Sequence, residues 1–417
     1  MRHEYDWING QKLKPHTKKK LTVIRSYFRN YLKVVVTPNV RKLRIAIVDG
    51  FAGGGKYKCG HSGSPLVFLE ELDNFYFKYK IRCETENIPS VSIECLFMVN
   101  ELNQETLELL KNNIKHWSEN KKSTSKEFDI TIEHSNKKFI EFYYESKNKL
   151  KKLKYNTVIY NIDPYGYKDL KIDIIKDIMI SFKKPEVFFT FMIGAILQYL
   201  NPKSIHKENN ALYQNFEIPL EDILKDGTSM CSKPEWLGDI QKRLFYCTES
   251  LAPFVSPFAI NQTNNQGYKY WLMHFSRSSR GREVYNNVLH EQARSQVHYG
   301  RSGLNMLEYT PSSNTAELFD FGQLAKEKTR GSLYEDIPKL IRDKGDKLPI
   351  ETFRNIAYNS SPAHSDDINE TLILHPDLEV MTPKRHHRRS ANQISEKDVI
   401  VLKPQESFGF MKTGDKK

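Results

Sequence analysis

The sequence predicts an α/β protein built on a mostly parallel, doubly wound sheet, with a smaller helix-then-strand module behind it. Three observations carry that reading. The apolar run Leu43–Val48 stops at Asp49-Gly50 and a glycine cluster, and Ser64-Pro65-Leu66-Val67 opens a capped helix soon after. A strand, a glycine turn and a helix in that order are the opening unit of a doubly wound sheet. Strand-like runs then alternate with helical ones, as crossover connections require, and beyond residue 330 the pattern changes to three helices and two short strands. At 417 residues the chain is also longer than one ordinary core needs.

Taken in order, residues 16–33 read as an amphipathic helix. Leu21, Ile24, Phe28, Tyr31 and Leu32 recur at helical spacing, Thr17 is placed to cap the start, and lysines and arginines fill the rest. After Leu43–Val48, the strand candidates are Cys95–Val99, Phe128–Ile132, Thr157–Ile162, Val187–Phe191 and Tyr268–Phe275, with helices over Gln104–Lys115 and Lys171–Ser181. Residues 202–250 read as an insertion. The expected division is a basic helical segment over 1–40, a main domain over 41–300, a C-terminal domain over 330–403 and a disordered tail over 404–417.

The formal net charge of +12 favours a polyanionic partner. Twelve Lys/Arg fall in the first 48 residues against only Glu4 and Asp6; the alternative is a solvated basic face. Five cysteines with no CxxC pair predict neither a zinc site nor a disulfide framework. With no signal-like N-terminus and no membrane-length apolar run, the expected setting is the cytoplasm, with no membrane contact.

The loop Asp49-Gly50-Phe51-Ala52-Gly53-Gly54-Gly55-Lys56-Tyr57 admits several readings. A dinucleotide fingerprint is matched only approximately. Gly50 to Lys56 fits the front of a phosphate-binding P-loop, but Tyr57 stands where a Mg²⁺-holding hydroxyl is needed. The pattern of Asp49, Phe51, Gly53 and Gly55 after a buried strand fits S-adenosylmethionine (SAM): glycines admit close backbone approach, and an acid at the strand end favours a cationic ligand. A plain glycine turn stays open. Glu101, at the tip of the next strand, is placed for ribose hydroxyls, and Glu133 for an adenine amino group.

Thr157–Ile162 ends in Asp163-Pro164-Tyr165-Gly166. Methylating a ring amine needs an acceptor for its N–H and an aromatic face to hold the ring flat. Asp163 and Tyr165 are of those types, and Pro164 stiffens the turn; a β-turn with Asx capping is the bland reading.

These motifs in order, with His16-Thr17, Lys20-Leu21, Gly63-Ser64-Pro65-Leu66 and Trp271-Leu272-Met273-His274-Phe275 before Arg280-Gly281, resemble the three-Cys-motif partner protein (TcmP) family over residues 7–380. The resemblance implies a Rossmann-like class I methyltransferase sheet and a partner bearing a three-cysteine motif. It does not imply a substrate. The Asp-Pro-Tyr-Gly turn is nearer the Asp-Pro-Phe-Gly form of tRNA guanine-N2 dimethyltransferases than the D/N-P-P-Y/F form of adenine-N6 enzymes.

In the C-terminal module, helices from Ser332, over Leu348–Ala357 and from Ser365 precede strands Leu378–Met381 and Val399–Leu402. Between the strands lies Lys384-Arg385-His386-His387-Arg388-Arg389. Three helices and a basic hairpin predict a winged-helix-like α+β domain, with Lys384, Arg385, Arg388 and Arg389 on phosphates; a flexible basic loop or a protein-interaction domain is the alternative. The two histidines lack the companions a metal site needs, so no metal is expected. The leading reading is a SAM-dependent methyltransferase acting on an amine of a DNA or RNA base. The runner-up is a non-catalytic SAM-binding scaffold that holds nucleic acid and a protein partner, and a weaker third is an NTPase using Lys56.

Overall fold

The computed structural model describes residues 6–164, 170–191, 245, 247–261, 268–291, 296–297, 318–319, 323–361 and 363–404. They fall into two compact units, the first on the residues up to Tyr299 together with Tyr309–Phe321 and the second from Gly322 onward. The predicted insertion lies almost wholly outside the described residues, as does all but the first residue of the predicted tail.

The first unit is built on a seven-stranded sheet. Its strands are β1 (Lys42–Asp49), β2 (Ser92–Asn100), β3 (Phe128–Ser135), β4 (Thr157–Ile162), β5 (Lys184–Phe191), β6 (Phe254–Asn261) and β7 (Tyr268–Ser276). Their spatial order is β3-β2-β1-β4-β5-β7-β6. Pairing is parallel from β3 through β5, and β7 runs antiparallel to both β5 and β6. This is the doubly wound, mostly parallel Rossmann-like sheet that the sequence predicts. The order reverses between β1 and β4, and ligands of open α/β sheets sit in the crevice that such a reversal opens at the carboxyl edge. In register, Asp49 lies opposite Val99 of β2 and Asn161 of β4.

Helices α1 (Pro15–Val35), α2 (Ser64–Glu86), α3 (Gln104–Glu119), α4 (Phe139–Lys152), α5 (Asp173–Ser181) and α6 (Ser279–Glu291) belong to the same unit. The central strands are buried almost end to end, as strands covered on both faces must be. The apolar face of α1 is wider than the sequence stripe: Val23 and Tyr27 join Leu21, Ile24, Phe28, Tyr31 and Leu32 in the core. Phe28 meets Phe68 of α2 edge-on at 5.2 Å.

Two expected caps are corrected. Thr17 lies inside α1, which starts at Pro15 after Lys14 with no side-chain cap; proline at the first position needs no N–H partner and pre-sets φ. Ser64 is likewise the first residue of α2, preceded by Gly63 in the cap position.

The second unit holds α7 (Gln323–Asp343), β10 (Lys347–Pro349), α8 (Ile350–Ser360), α9 (Ser365–Leu374), β11 (Leu378–Met381) and β12 (Val399–Leu402). A short antiparallel pair, β8 (Gln296–Val297) with β9 (Leu318–Phe319), belongs to the first unit, where β8 lies near β6. β12 is the centre of a three-stranded antiparallel sheet between β10 and β11. Leu348 therefore lies in a strand, opposite Ile400, and does not open the predicted helix; Pro349 then stands at the N-cap of α8. The first helix begins at Gln323, earlier than Ser332. Leu333, Ile337, Phe353, Ile368, Leu372, Val380 and Ile400 make the core of this unit.

Candidate functional site

The glycine loop leaves β1 at Asp49 and is held at nearly every residue. Gly50 N donates to Asn161 O at 3.0 Å and Ala52 N to Asn100 O at 3.0 Å. The Asn100 amide donates to Gly50 O at 3.3 Å and to Lys137 O at 3.0 Å. Gly53 N donates to Glu101 Oε2 at 2.9 Å, and Asn103 N, the N-cap residue of α3, donates to Oε1 at 3.0 Å. Gly53 and Gly55 sit at φ +61° and +81°, where a side chain is strained. Phe51 stacks on Phe139 of α4 at 4.8 Å.

Asp49 is fully buried among these groups. Its Oδ1 accepts from the Asn161 amide at 3.1 Å and from Phe51 N at 3.4 Å, while Oδ2 has no hydrogen-bond partner. Burial pushes its carboxyl up to about 6; the Ser64 hydroxyl, Asn161 and Phe51 N pull the other way, and the nearby Asp163 charge adds to the rise. An unpaired acceptor at no exposure is costly. Here it stands at the carboxyl edge of the sheet, beside a loop with no bulk.

Asp163 follows β4 and is paired with Lys20 of α1. The Lys20 side chain is 7% exposed and that of Asp163 31%. A lysine is so deeply buried only with a partner. Pro164 is buried beside it, and Tyr165 lies outside the described residues.

The geometry thus brings Asp49, Phe51, Gly53, Gly55 and Glu101 together, with Asp163 near enough to Asp49 to act on its charge. It separates Glu133, which lies within β3 and pairs with Lys149. Lys56 is exposed and bridges to Ser62, and the Tyr57 ring lies 5.0 Å from that of Trp7. Asn100, Asn161, Lys20 and Trp7 are the residues that sequence reasoning missed. The first two are polar residues closing apolar strands at the ligand edge. Lys20 lies four residues before Ile24 and seven before Tyr27, so it sits on the buried stripe of α1.

Five of the twelve Lys/Arg in the first 48 residues are paired with acids inside the first unit. Besides Lys20, Arg25 pairs with Glu70 and Glu71, Arg29 with Glu71, and Lys42 and Arg44 with Glu94. In the second unit, Lys384, Arg385 and Arg389 are exposed. Arg388 is committed to Asp398 through two hydrogen bonds of 2.8 and 3.1 Å. Among the described residues no group of three His, Cys, Asp or Glu is placed to hold a metal, and no helix is long and apolar enough to cross a membrane.

SAM fits the donor set at Asp49, whose unpaired buried oxygen suits a cationic ligand. Glu101 already receives one backbone N–H on each oxygen, leaving further lone pairs for hydroxyl donors. At Gly53 and Gly54 the fit is poorer, because the Trp7 indole lies against that backbone.

No protein-family model matches the chain, and no curated protein matches it. Among solved structures, it is similar to a Legionella pneumophila protein of the family labelled DUF519, at 10% identity over 65% of this chain and 90% of that one, with a TM-score of 0.32. It is also similar to spermidine synthase from Thermotoga maritima, at 10% identity over 63% and 60% of the two chains, with a TM-score of 0.27. A spermidine synthase bound to the transition-state analogue AdoDATO is 11% identical over 76% and 74%, with a TM-score of 0.28. Likeness at this level carries no argument about chemistry, so the function is argued from the residues of this chain.

Proposed function

We propose that the chain is a cytoplasmic SAM-dependent methyltransferase that acts on an amine of a nucleic-acid base and works beside a three-cysteine-motif protein, as the TcmP resemblance implies. The observation that carries the cofactor is Asp49: a buried carboxylate with one oxygen unpaired, at the switch point of the sheet, beside Gly53 and Gly55. Bound there, SAM supplies an electrophilic methyl group. Asp49 answers the ligand's positive charge, and Glu101 holds the loop open in shape while offering lone pairs to ribose hydroxyls.

Asp163 takes the N–H of the acceptor amine on whichever carboxylate oxygen Lys20 leaves open, and so turns the nitrogen lone pair toward the methyl group. Tyr165 provides the ring face. In the second unit, a winged-helix-like domain lays Lys384, Arg385 and Arg389 on phosphates, giving backbone contact without base readout. The Lys20 pairing gives a specific reason to keep a second reading. A carboxylate already held by an ammonium is a poorer acceptor, which favours a SAM-binding scaffold that recruits nucleic acid without transfer.

Calorimetric titration of the full chain with SAM, with Asp49→Ala as control and ATP as competitor, tests the cofactor. Binding lost in the variant supports it, and a tritiated-methyl assay over DNA and RNA then follows. Transfer lost in Asp163→Ala, with SAM binding kept, separates the enzyme from the scaffold. No SAM binding by the wild type or by Trp7→Ala, which clears the indole from the loop, would sink both readings.

A further inference from the structure

The glycines of the loop serve a partner that is already present. A Cβ at Gly53 would stand 2.5 Å from Trp7 Cζ2, and one at Gly54 would stand 3.0 Å from Cε3. The indole therefore lies along the backbone of both residues. Trp7 belongs to a short strap before α1 that is closed largely on itself. Gly10 N donates to Trp7 O at 3.2 Å, Asn9 N to Asp6 Oδ1 at 3.0 Å, and Asp6 N to Gln11 Oε1 at 2.9 Å. The strap meets the loop through the Tyr57 ring at 5.0 Å from Trp7 and through Lys58 N, which donates to Gln11 O at 3.0 Å. Asp6, Ile8 and Asn9 are exposed. Leu13 packs against the core of the first unit and Gly10 lies against the Lys58 side chain, so freeing the indole is a local opening of the strap ahead of α1.

We infer that the strap of residues 6–14 competes with the cofactor for the glycine loop, with the Trp7 indole as the plug. The proposal rests on the SAM reading above. Backbone that only glycine leaves bare is the surface a ligand must approach, and in this state the indole covers two of its residues. Ligand binding then needs the strap to lift, and the observed affinity is reduced by the fraction of molecules in which the loop is bare.

The test is calorimetry of the full chain with SAM, using wild type, Trp7→Ala, Trp7→Phe and Asp49→Ala, alongside tryptophan emission. A strap closed in about nine molecules of ten makes Trp7→Ala bind about tenfold tighter than wild type, with Trp7→Phe in between. Wild-type emission shifts to longer wavelength as SAM saturates, because the indole moves into water. Trp7→Phe keeps Trp117, Trp236 and Trp271 and loses that shift. Equal or weaker binding by Trp7→Ala, with wild-type binding still abolished by Asp49→Ala, would overturn the plug and leave the cofactor site standing. If SAM binds neither wild type nor Trp7→Ala, the cofactor reading fails and the competition falls with it.

Discussion

Two buried carboxylates in the first unit are treated in opposite ways. Glu71 of α2, with its side chain 3% exposed, is gripped by Arg25 at 2.9 Å and by Arg29 at 2.8 and 3.0 Å. Burial works against its charge, yet Arg29 and Arg25 hold the carboxyl below its ordinary range. Asp49, with no exposure at all, has only neutral donors around it (the Ser64 hydroxyl, the Asn161 amide and Phe51 N), its Oδ2 makes no hydrogen bond, and burial carries it up to about 6. One charge is complete within the fold. The other has no cation beside it, and the proposed SAM site rests on that difference.

Removing each acid should break the comparison in opposite directions. Glu71→Ala leaves two arginines without their acid; both are partly exposed and can rehydrate, so the loss falls near the low end for a broken buried pair, about 2–3 kcal/mol. Urea unfolding at pH 7 measures it. Because the folded-state value of Glu71 is depressed, its contribution is present above the ordinary value of 4.5 and fades as pH falls through the folded one. A loss that persists undiminished at acid pH would mean lost packing, not lost charge.

Asp49→Asn has the reverse sign. A carboxyl raised from 3.8 to about 6 gives stability below the lower value, and that stability is lost as pH rises through the upper one. The amide should therefore stabilise the fold by about 1–2 kcal/mol at pH 8, after allowing for imperfect bonds to Asn161 and Phe51, and by almost nothing at pH 4. SAM binding should vanish. A variant less stable than wild type at pH 8 would show that Asp49 is needed by the fold, and the contrast with Glu71 would fail.

The same distinction marks what could be read in the sequence. Strand runs closing on Asp49 and on Asp163 were legible because apolar runs and turn residues are local signals, and they were enough to define the sheet's ligand edge. β6 was missed, since Phe254–Asn261 is interrupted by Ser256 and Pro257; α4 was missed as well, because Phe139–Lys152 carries four lysines that obscure its buried face of Phe142, Tyr143 and Leu150. Pairing was not legible at all. Lys20 and Asp163 are 143 positions apart and Arg25 and Glu71 are 46 apart, so the N-terminal charge looked like a polyanion surface when much of it faces acids of its own unit. The Trp7 contact was hidden for the same reason: glycines announce a close approach without saying to what.

A finer version of the contrast runs through the basic turn of the second unit. Arg388 and Arg389 are neighbours of the same type, but Arg388 reaches the buried Asp398 while Arg389 faces water. Arg388→Ala should lower the melting midpoint of the chain, because the Asp398 carboxylate then keeps only the Ser395 N–H at 2.8 Å of the hydrogen bonds it now accepts, and it should leave affinity for duplex DNA or RNA unchanged at matched stability. Lys384→Ala, Arg385→Ala and Arg389→Ala together should leave the melt in place and weaken nucleic-acid binding. Each phosphate contact removed lowers the slope of log affinity against log salt by about 1, so the triple variant should lose up to about 3. Filter binding across a salt series gives the slope, and differential scanning fluorimetry the midpoint. If Arg388→Ala alone took away the salt dependence, or the triple variant melted early, the paired and unpaired arginines would have exchanged roles, and the turn would be part of the core of its unit and not its contact surface.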